Sequence, residues 1–389
     1  MSSAIKGLVQ DPMPPFTQEH EDFRAVVRRW VENELAPHAD EWEASEHFPN
    51  SVFKMCGDQG YLGLKFEEEY GGGGGGYLAD AVFLEELQAC QSGGVAAGIF
   101  AHSGLALPPI WKFGTDEQKQ RFLVPGIKGD KIGALAITEP DAGSDVAGIR
   151  TTATRVEGGW KVNGSKMFIT NGVRADFLVT ACKTSDEGGH HGMSFLIIER
   201  GEGIVSDPIQ KMGWHASDTA LISFDDVFVP DENLLGEVDK GFYLIMANFQ
   251  WERLLLALGA VGAMRMGYEL TLKFAHERKT FGKPLTGHQV IAHKFADMAT
   301  TFEASRTLTY NALRLFVEDK NPISEVTMAK LFTQRAAVDL LDECLQIHGG
   351  AGYMTEYLIE RAVRDVRLGP IGGGTDEIMR EILGKTLSI

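Results

Sequence analysis

A block of strand-like sequence between two helical blocks restricts the fold of this 389-residue chain more than any other feature. In residues 1–133 apolar side chains recur at helical spacing, as between Phe23 and Val31. Between 134 and 238 short apolar runs alternate with turn pairs, and from 239 to 389 helical patterns return. This order predicts an α+β protein in which an N-terminal helical domain and a C-terminal helical bundle flank a β-barrel-like middle domain.

Turn pairs mark the expected hairpins of the middle block. Gly158-Gly159 and Asn163-Gly164 both lie between apolar runs, and such pairs are strong hairpin signals. Further strands are expected over 177–181, 194–198 and 220–229. Six consecutive glycines, Gly71 to Gly76, predict a surface loop, because the Lys-Ser/Thr pair of a phosphate-binding P-loop does not follow them.

The overall composition excludes some classes of function. A net charge of −17 argues against a nucleic-acid partner but leaves an acidic cofactor possible if a local basic group meets it. The four cysteines lie far apart, which favours buried or free thiols over a disulfide framework or a metal site. The N-terminus has no apolar signal-peptide core, so a bacterial cytoplasm is expected, although a trimmed chain of the mitochondrial matrix would look the same.

The apolar stretch from Gly241 to Met264 resembles a membrane span in length. Its only charged residues, Glu252 and Arg253, lie near its middle, where charges are costly in lipid. We therefore expect a buried helix of the C-terminal bundle, followed by helices over about 290–317 and 324–348.

The segment from Ala136 to Gly148 carries the first functional motif. It follows a predicted strand, and Gly143 with the Ser144 hydroxyl could direct hydrogen-bond donors at an anion. From these residues alone, a phosphate cradle and a plain polar turn both remain open. The whole segment, however, resembles the signature of the acyl-CoA dehydrogenase family at every defined position.

Further segments match the same family in the family's order. Gln346 to Tyr353, continuing through Arg361 to Asp365, resembles its second signature. Lys166 to Gly172 resembles the strand that covers the flavin ring, and Glu277 to Lys283 resembles a loop that supplies an arginine to a neighbouring subunit's FAD. His348 alone, without a carboxylate or nucleophile partner, is expected to be structural.

The resemblance implies the fold of that family, with a C-terminal four-helix bundle, FAD as cofactor, a homotetramer and an electron-transferring flavoprotein as partner. It also implies three domains over 1–133, 134–238 and 239–389. The residues that it implies for FAD binding are Ile137, Thr138, Gly143, Ser144, Phe168, Thr170, Arg278, Phe281, Gln289, Gln346, Gly349, Gly350, Thr375 and Glu377.

The catalytic base is the one part of the family pattern that is displaced. Most members carry a glutamate directly before Gly-Thr, where this chain has Gly373. Glu252, inside the apolar helix, is the alternative, since burial would raise its pKa towards that of a useful base. By itself a Glu252-Arg253 pair reads more readily as an internal ion pair. The resemblance to the long-chain and isovaleryl-type branch, which places its base in such a Glu-Arg-Leu helix, makes Glu252 the predicted base.

The predicted reaction is the FAD-dependent conversion of an acyl-CoA thioester to trans-2-enoyl-CoA. Glu252 removes the α-proton, the β-hydride goes to flavin N5, and the Gly373 N–H polarises the thioester carbonyl. Ser144 and Arg253 are expected to contact the substrate. The alternatives are an oxidase that uses oxygen and a non-catalytic flavoprotein. A carrier-protein thioester and the length and branching of the acyl chain also remain open.

Overall fold

The computed structural model describes residues 5–8, 11–187 and 191–389. Its N-terminal part is helical, as the apolar periodicity predicts. The helices are α1 (Gln18–Glu34), α2 (Ala39–Ala44), α3 (Ser51–Asp58), α4 (Gly76–Glu86), α5 (Gly93–Phe100), α6 (Leu107–Phe113), α7 (Asp116–Gln118) and α8 (Val124–Ile127). Thr115 begins α7 with a capping box, in which its hydroxyl accepts from the Gln118 N–H.

The middle part is one eight-stranded sheet. Its strands are β1 (Gly133–Ala136), β2 (Thr152–Val156), β3 (Gly159–Thr170), β4 (Phe177–Lys183), β5 (Met193–Glu199), β6 (Ile204–Pro208), β7 (Thr219–Pro230) and β8 (Leu234–Leu235). The order is β6-β7-β3-β2-β4-β5-β8, with β1 pairing in parallel with β4. The strand character expected for this block is confirmed.

One predicted hairpin is wrong. The turn before Gly159 does join β2 to β3, but Asn163-Gly164 lies inside β3. There the register against β7 shifts, so the pair forms a β-bulge. Gly164 has φ +141, and a Cβ at this position would lie 2.7 Å from the Thr151 Cα. The local Asn-Gly signal therefore marks a sharp bend whose partner strand is set by tertiary packing.

Helices return in the C-terminal part. They are α9 (Gly241–Glu277), α10 (Gln289–Val317), α11 (Ile323–His348), α12 (Leu358–Val366) and α13 (Asp376–Leu387), and a small hairpin of β9 (Lys279–Thr280) and β10 (Lys283–Pro284) follows α9. The three long helices pack on one another, and α12 and α13 pack on α11. The predicted α+β class and the helical, sheet, helical order are confirmed.

The long apolar helix α9 is a core helix. Trp251, Leu254, Leu255 and Leu258 on it are at most 2% exposed and belong to the main hydrophobic core. Within the described residues, only the continuous helical stretch over Gly93–Phe113, which includes α5 and α6, is long and apolar enough to cross a membrane. Of its most apolar 18-residue window, 83% is buried inside the protein. All four cysteines are buried with free thiols.

The hexaglycine segment is an ordered loop. The amides of Gly72, Gly73, Gly74 and Gly75 donate to backbone carbonyls of residues 63–67. Because these N–H groups are used within the loop, they are not directed at a phosphate, which agrees with the predicted surface loop.

Candidate active site

Glu252 lies about three turns into α9. The preceding Trp251 is fully buried against Tyr77 and Phe316, with ring centroids 4.5 and 5.8 Å away, and so fixes the rotation of the helix. Glu252 is only partly exposed. Its Oε1 lies 3.6 Å from the position that a Cβ on Gly373 would occupy. The structure thus brings together the two residues that the sequence separates by about 120 positions.

The Glu252 carboxylate is poorly stabilised as an anion. Burial raises its pKa to about 7, against the opposing charges of Arg253 and Lys330. Within the described part of the chain, no group donates a hydrogen bond to it. A carboxylate that is dry and unpaired binds a proton far more readily than one in water. Glu252 can therefore accept and release a proton near neutral pH.

Arg253 does not form an ion pair with Glu252. Among the described residues no salt bridge joins the two, because neighbouring helical positions point about 100° apart. Arg253 is 8% exposed, and its guanidinium lies 5.4 Å from the Phe249 ring centroid. Its Nε has no hydrogen-bond partner in the described part of the chain. Burial lowers its pKa, and Glu252 raises it. The internal ion pair that the residues alone suggested is not present.

The second half of the site is the turn from Gly373 to Thr375. Gly373 and Gly374 have φ +62 and +94, values that L side chains rarely adopt. Among the described residues, the Gly373 N–H has no hydrogen-bond acceptor. The Thr375 hydroxyl caps α13 by accepting from the Ile378 N–H at 3.3 Å. At the start of that helix, the backbone N–H groups and the Thr375 hydroxyl lower the pKa of the exposed Glu377.

The Thr138–Ser144 turn is held by two residues that sequence reasoning did not single out. The Lys166 ammonium is fully buried and donates to the Glu139 carboxylate at 2.8 Å and to the Ile137 carbonyl at 3.0 Å. Burial alone would raise the pKa of Glu139, but Lys166 and hydrogen bonds from the Arg150 N–H and from Thr151 lower it. The Met167 N–H also donates to the Thr138 carbonyl. The Lys166–Glu139 ion pair and this backbone hydrogen bond therefore join the turn to β3.

The residues beside this turn fit a flavin nucleotide. Phe168 has φ +63 on an irregular part of β3 and is 59% exposed, and Thr170 two residues later is half-buried. Within the described residues the amides of Gly143 and Ser144 are unpaired, and no atom lies within 4 Å of a Cβ built on Gly143. An uncovered ring beside free N–H and hydroxyl donors suits an aromatic ring system joined to phosphate.

The turn also approaches α9. Ile137 and Ala142 belong to the same hydrophobic cluster as Ile245 and Phe249, which lie one to two turns before Glu252. The turn that carries Ser144 thus packs against the part of α9 that precedes Glu252.

Six of the predicted FAD residues lie elsewhere. Arg278 follows Glu252 by roughly 26 residues of continuous helix, which is about 39 Å at 1.5 Å per residue. Gln346 lies beside the same end of α9, where His348 of α11 stacks on Phe274. The six residues are all exposed: Arg278, Phe281, Gln289, Gln346, Gly349 and Gly350. One chain therefore does not gather them around its own Glu252.

Other residues of the second signature hold the fold together. The His348 ring nitrogen lies 2.8 Å from the Cys344 carbonyl, and burial lowers the pKa of His348, as expected for a structural residue. Asp365 accepts from the Gly93 N–H at 2.9 Å and from the Trp214 N–H at 2.6 Å. It thus links α12 to both the N-terminal helices and the middle part.

An apolar cavity begins one turn beyond Glu252. It has a volume of about 80 Å³ and lies between α9, α4, α5 and α12. Leu255 and Leu256 stand at the end nearest Glu252, and small residues, Gly259 and Ala263, follow on the same helix. Small side chains at successive turns leave room for an apolar ligand tail.

Comparisons with known proteins agree along the whole chain. Residues 17–130, 134–227 and 239–388 match, in this order, the acyl-CoA dehydrogenase N-terminal, middle and C-terminal domains. The chain is 39% identical over 376 residues to the mitochondrial long-chain specific acyl-CoA dehydrogenase of Mus musculus, covering 96% of this chain and 87% of the relative.

A second relative and a solved structure are similar to the same extent. The mitochondrial isovaleryl-CoA dehydrogenase of rice (Oryza sativa) is 38% identical over 376 residues, 96% of this chain and 92% of its own. The crystal structure of a probable acyl-CoA dehydrogenase from Mycobacterium abscessus superposes with a TM-score of 0.93 at 42% identity, covering 95% of this chain and 99% of that one. The resemblance to the long-chain and isovaleryl-type branch is confirmed.

Proposed function

The chain belongs to the acyl-CoA dehydrogenase family, and from this premise we propose that Glu252 is the base of its reaction. The enzyme is an FAD-dependent oxidoreductase that dehydrogenates acyl-CoA at the α,β bond, and the comparisons favour this activity over an oxygen-using oxidase or a non-catalytic flavoprotein. The observation that carries the assignment of the base is the Glu252 carboxylate, unpaired, with a pKa of about 7, and 3.6 Å from the Cβ position of residue 373.

Glu252 takes the role of the glutamate that most family members carry at the position of Gly373. A carboxylate carried by residue 373 and the Glu252 carboxylate would enter the same space from opposite sides. Because Gly373 has no side chain, that space is left for Glu252. A base with a pKa near the working pH removes a weakly acidic α-proton most effectively.

The Gly373 N–H acidifies that α-proton. Its lack of an acceptor within the described chain supports a role in hydrogen bonding to the thioester carbonyl. One such donor to a developing enolate oxygen contributes about 3–4 kcal/mol in comparable sites.

The cofactor site is built from the turn after β1 and from β3. We assign Ile137, Thr138, Gly143 and Ser144 to FAD through backbone and hydroxyl donors, and Phe168 and Thr170 to the flavin ring. Bound FAD supplies an acceptor for the hydride that leaves the β-carbon. Thr375 and Glu377, at the start of α13, remain assigned to FAD by the family resemblance alone.

The substrate is placed by groups on both sides of Glu252. Ser144 and the buried Arg253 guanidinium are assigned to the thioester end, where Arg253 Nε is free to donate. The apolar cavity past Leu256 is assigned to the acyl tail. Substrate bound here would exclude water from the carboxylate and maintain its raised pKa.

The remaining FAD residues require a second subunit. Arg278 lies about 39 Å along α9 from Glu252, and the loop and helix ends that carry Phe281, Gln289, Gln346, Gly349 and Gly350 are exposed. We therefore propose that these six residues contact the FAD of a neighbouring copy in a homotetramer. Light scattering of the holoenzyme would contradict this proposal by finding a monomer.

Three other expectations stay proposals. We place the domain boundaries between residues 133 and 134 and between 238 and 239. An electron-transferring flavoprotein is the proposed electron acceptor, as the family resemblance implies. The bacterial cytoplasm is the proposed location, while the mouse and rice relatives are named as mitochondrial.

Replacing Glu252 by Gln tests the assignment of the base. The variant keeps the size of the side chain, so it should bind FAD and acyl-CoA but reduce the flavin about 10²–10⁴-fold more slowly under anaerobic conditions. Glu269→Gln, on the same helix but at the surface next to Arg28, is the matched control and should reduce it normally. Flavin reduction by Glu252→Gln at the wild-type rate would refute the assignment.

A further inference from the structure

Lys330 on α11 places a buried ammonium group beside the active-site turn. Its side chain is fully buried, and its Nζ donates to the Gly374 carbonyl at 2.6 Å. Among the described residues, no carboxylate lies within salt-bridge distance of it. A buried cation without a paired anion costs stability, so its presence requires an explanation in the surroundings.

The charges around Lys330 belong to the reaction site. Asp376 and Glu377 approach it from the start of α13, and Glu252 and Arg253 approach it from α9. Burial lowers the pKa of Lys330 to about 8, and Arg253 acts in the same direction, while the three carboxylates raise it. Lys330 in turn lowers the pKa of Glu252. The two groups therefore influence each other's protonation.

Gln334, one turn after Lys330 on α11, contacts α9, which is the half of the site that carries Glu252. The Gln334 side-chain amide donates to the Leu256 carbonyl of α9 at 2.6 Å, one turn after Glu252. Lys330 and Gln334 are four residues apart and so share one face of α11. That face contacts the Gly373–Gly374 turn through one residue and the helix of Glu252 through the other.

We propose that Lys330 is a positioning residue for the dehydrogenation: it fixes the Gly374 carbonyl, and with it the Gly373 amide, relative to α9, and its charge favours the ionised form of Glu252. The inference rests on the proposed function, since it takes Glu252 as the base. Lys330 does not contact Glu252 or the substrate. It acts on the reaction through the Gly373–Gly374 turn and through the charge of Glu252.

Loss of the Lys330 charge should change the pH dependence of the reaction. Without the nearby cation the ionised form of Glu252 is less favourable, so its pKa rises further. The base then becomes active only at higher pH. In Lys330→Met, which keeps the length of the side chain, we expect the acidic limb of the pH–rate profile to move up by about 0.5–1 pH unit.

Two readouts on the holoenzyme measure this shift. The first is the rate of anaerobic flavin reduction by acyl-CoA as a function of pH. The second is infrared titration of the Glu252 carboxyl, taken as the difference between each protein and the same protein carrying Glu252→Gln. Lys330→Arg keeps the charge and should keep the wild-type midpoint. Lys320→Met removes an exposed charge just before α11 and should leave it unchanged.

The outcomes separate this inference from the proposed function. A wild-type midpoint in Lys330→Met by both readouts would overturn it. If Lys330→Met does not bind FAD, the same two readouts are taken on Lys330→Gln, which removes the charge but keeps a hydrogen-bond donor. A wild-type midpoint in Lys330→Gln would likewise overturn the inference. Normal flavin reduction by Glu252→Gln would instead overturn the proposed function, whereas an inactive Glu252→Gln with an unshifted Lys330→Met would overturn the positioning role alone.

Discussion

Two buried glutamate sites on neighbouring helices of this protein have opposite electrostatics. Glu85 and Glu86 at the end of α4 are 0% exposed, and basic groups surround them. Trp251, next to Glu252 on α9, is also 0% exposed. Arg24 approaches Glu86 at 2.7 Å and Glu85 at 3.1 Å, and Arg265 also pairs with Glu86. Among the residues that the structure describes, Glu252 has no such partner.

The difference shows how a buried glutamate can serve either as a structural ion pair or as a group that exchanges a proton. Burial by itself would raise the pKa of Glu86, but Arg265 and Arg24 outweigh it and hold the pKa below its usual range. At Glu252 burial prevails and the pKa is about 7. A fully compensated carboxylate joins α1, α4 and α9 and stays ionised. A carboxylate left without compensation costs stability but can exchange a proton near neutral pH.

The largest effect on stability should come from breaking the compensated site. Glu86→Gln removes the carboxylate nearest to both Arg24 and Arg265 and leaves Glu85 to compensate the two buried guanidinium groups. We expect a loss of about 3–5 kcal/mol in the free energy of unfolding. Urea unfolding of the holoenzyme at fixed protein concentration measures it. Because the folded-state pKa of Glu86 is lowered, its stabilisation is present above the unfolded pKa, so the loss should be seen at neutral pH. A change under 1 kcal/mol would contradict the comparison.

At the uncompensated site the same substitution should stabilise the protein. Between the ordinary pKa of 4.5 and about 7 the folded state holds a proton on Glu252 that the unfolded state has lost, so stability falls as the pH rises. Glu252→Gln removes this cost, which we expect to be about 1–3 kcal/mol at pH values above about 7. Towards pH 4.5 the gain should vanish. Thermal unfolding at both pH values measures it, and a destabilised variant above neutral pH would refute the prediction.

The smallest effect is expected from moving the base. A Cβ on residue 373 would lie 2.4 Å from the Leu256 Cδ1, and φ there is +62. We therefore expect Glu252→Gly with Gly373→Glu to recover little activity unless Leu256→Ala makes room. Backbone strain of about 1–2 kcal/mol would still limit the triple variant to about one-tenth of the wild-type rate of flavin reduction. If the triple variant is no faster than the double variant, Leu256 is not the obstacle.

The sequence predicts what depends on local patterns. The extents of α10 and α11 and the strands β4, β5 and β7 follow from apolar periodicity and turn residues, and the presence of Glu252 in an apolar helix follows from its neighbours. The Asn163-Gly164 pair has the local composition of a turn, but its position opposite β7 makes it a bulge. Local pattern does not determine which strand faces such a pair.

Contacts between distant segments are what the sequence could not predict. Lys330 and Gly374 are 44 positions apart, and Lys166 and Glu139 are 27 apart. Each lysine lies in an ordinary helix or strand pattern, where a cation is usually solvated. The sequence signal for a buried lysine is its place at an apolar position of a helix or strand. Its hydrogen-bond partner is identified only by the tertiary packing.

The most direct measurement follows the α-proton itself. A thioester whose β-carbon carries no hydrogen, such as 3,3-dimethylbutanoyl-CoA, can be deprotonated but not oxidised. Incubated in D₂O with the wild-type holoenzyme, or with Glu269→Gln, it should gain deuterium at the α-carbon, as measured by mass spectrometry, while Glu252→Gln should give no exchange above the enzyme-free rate. Exchange by Glu252→Gln at the wild-type rate would show that another group removes the proton.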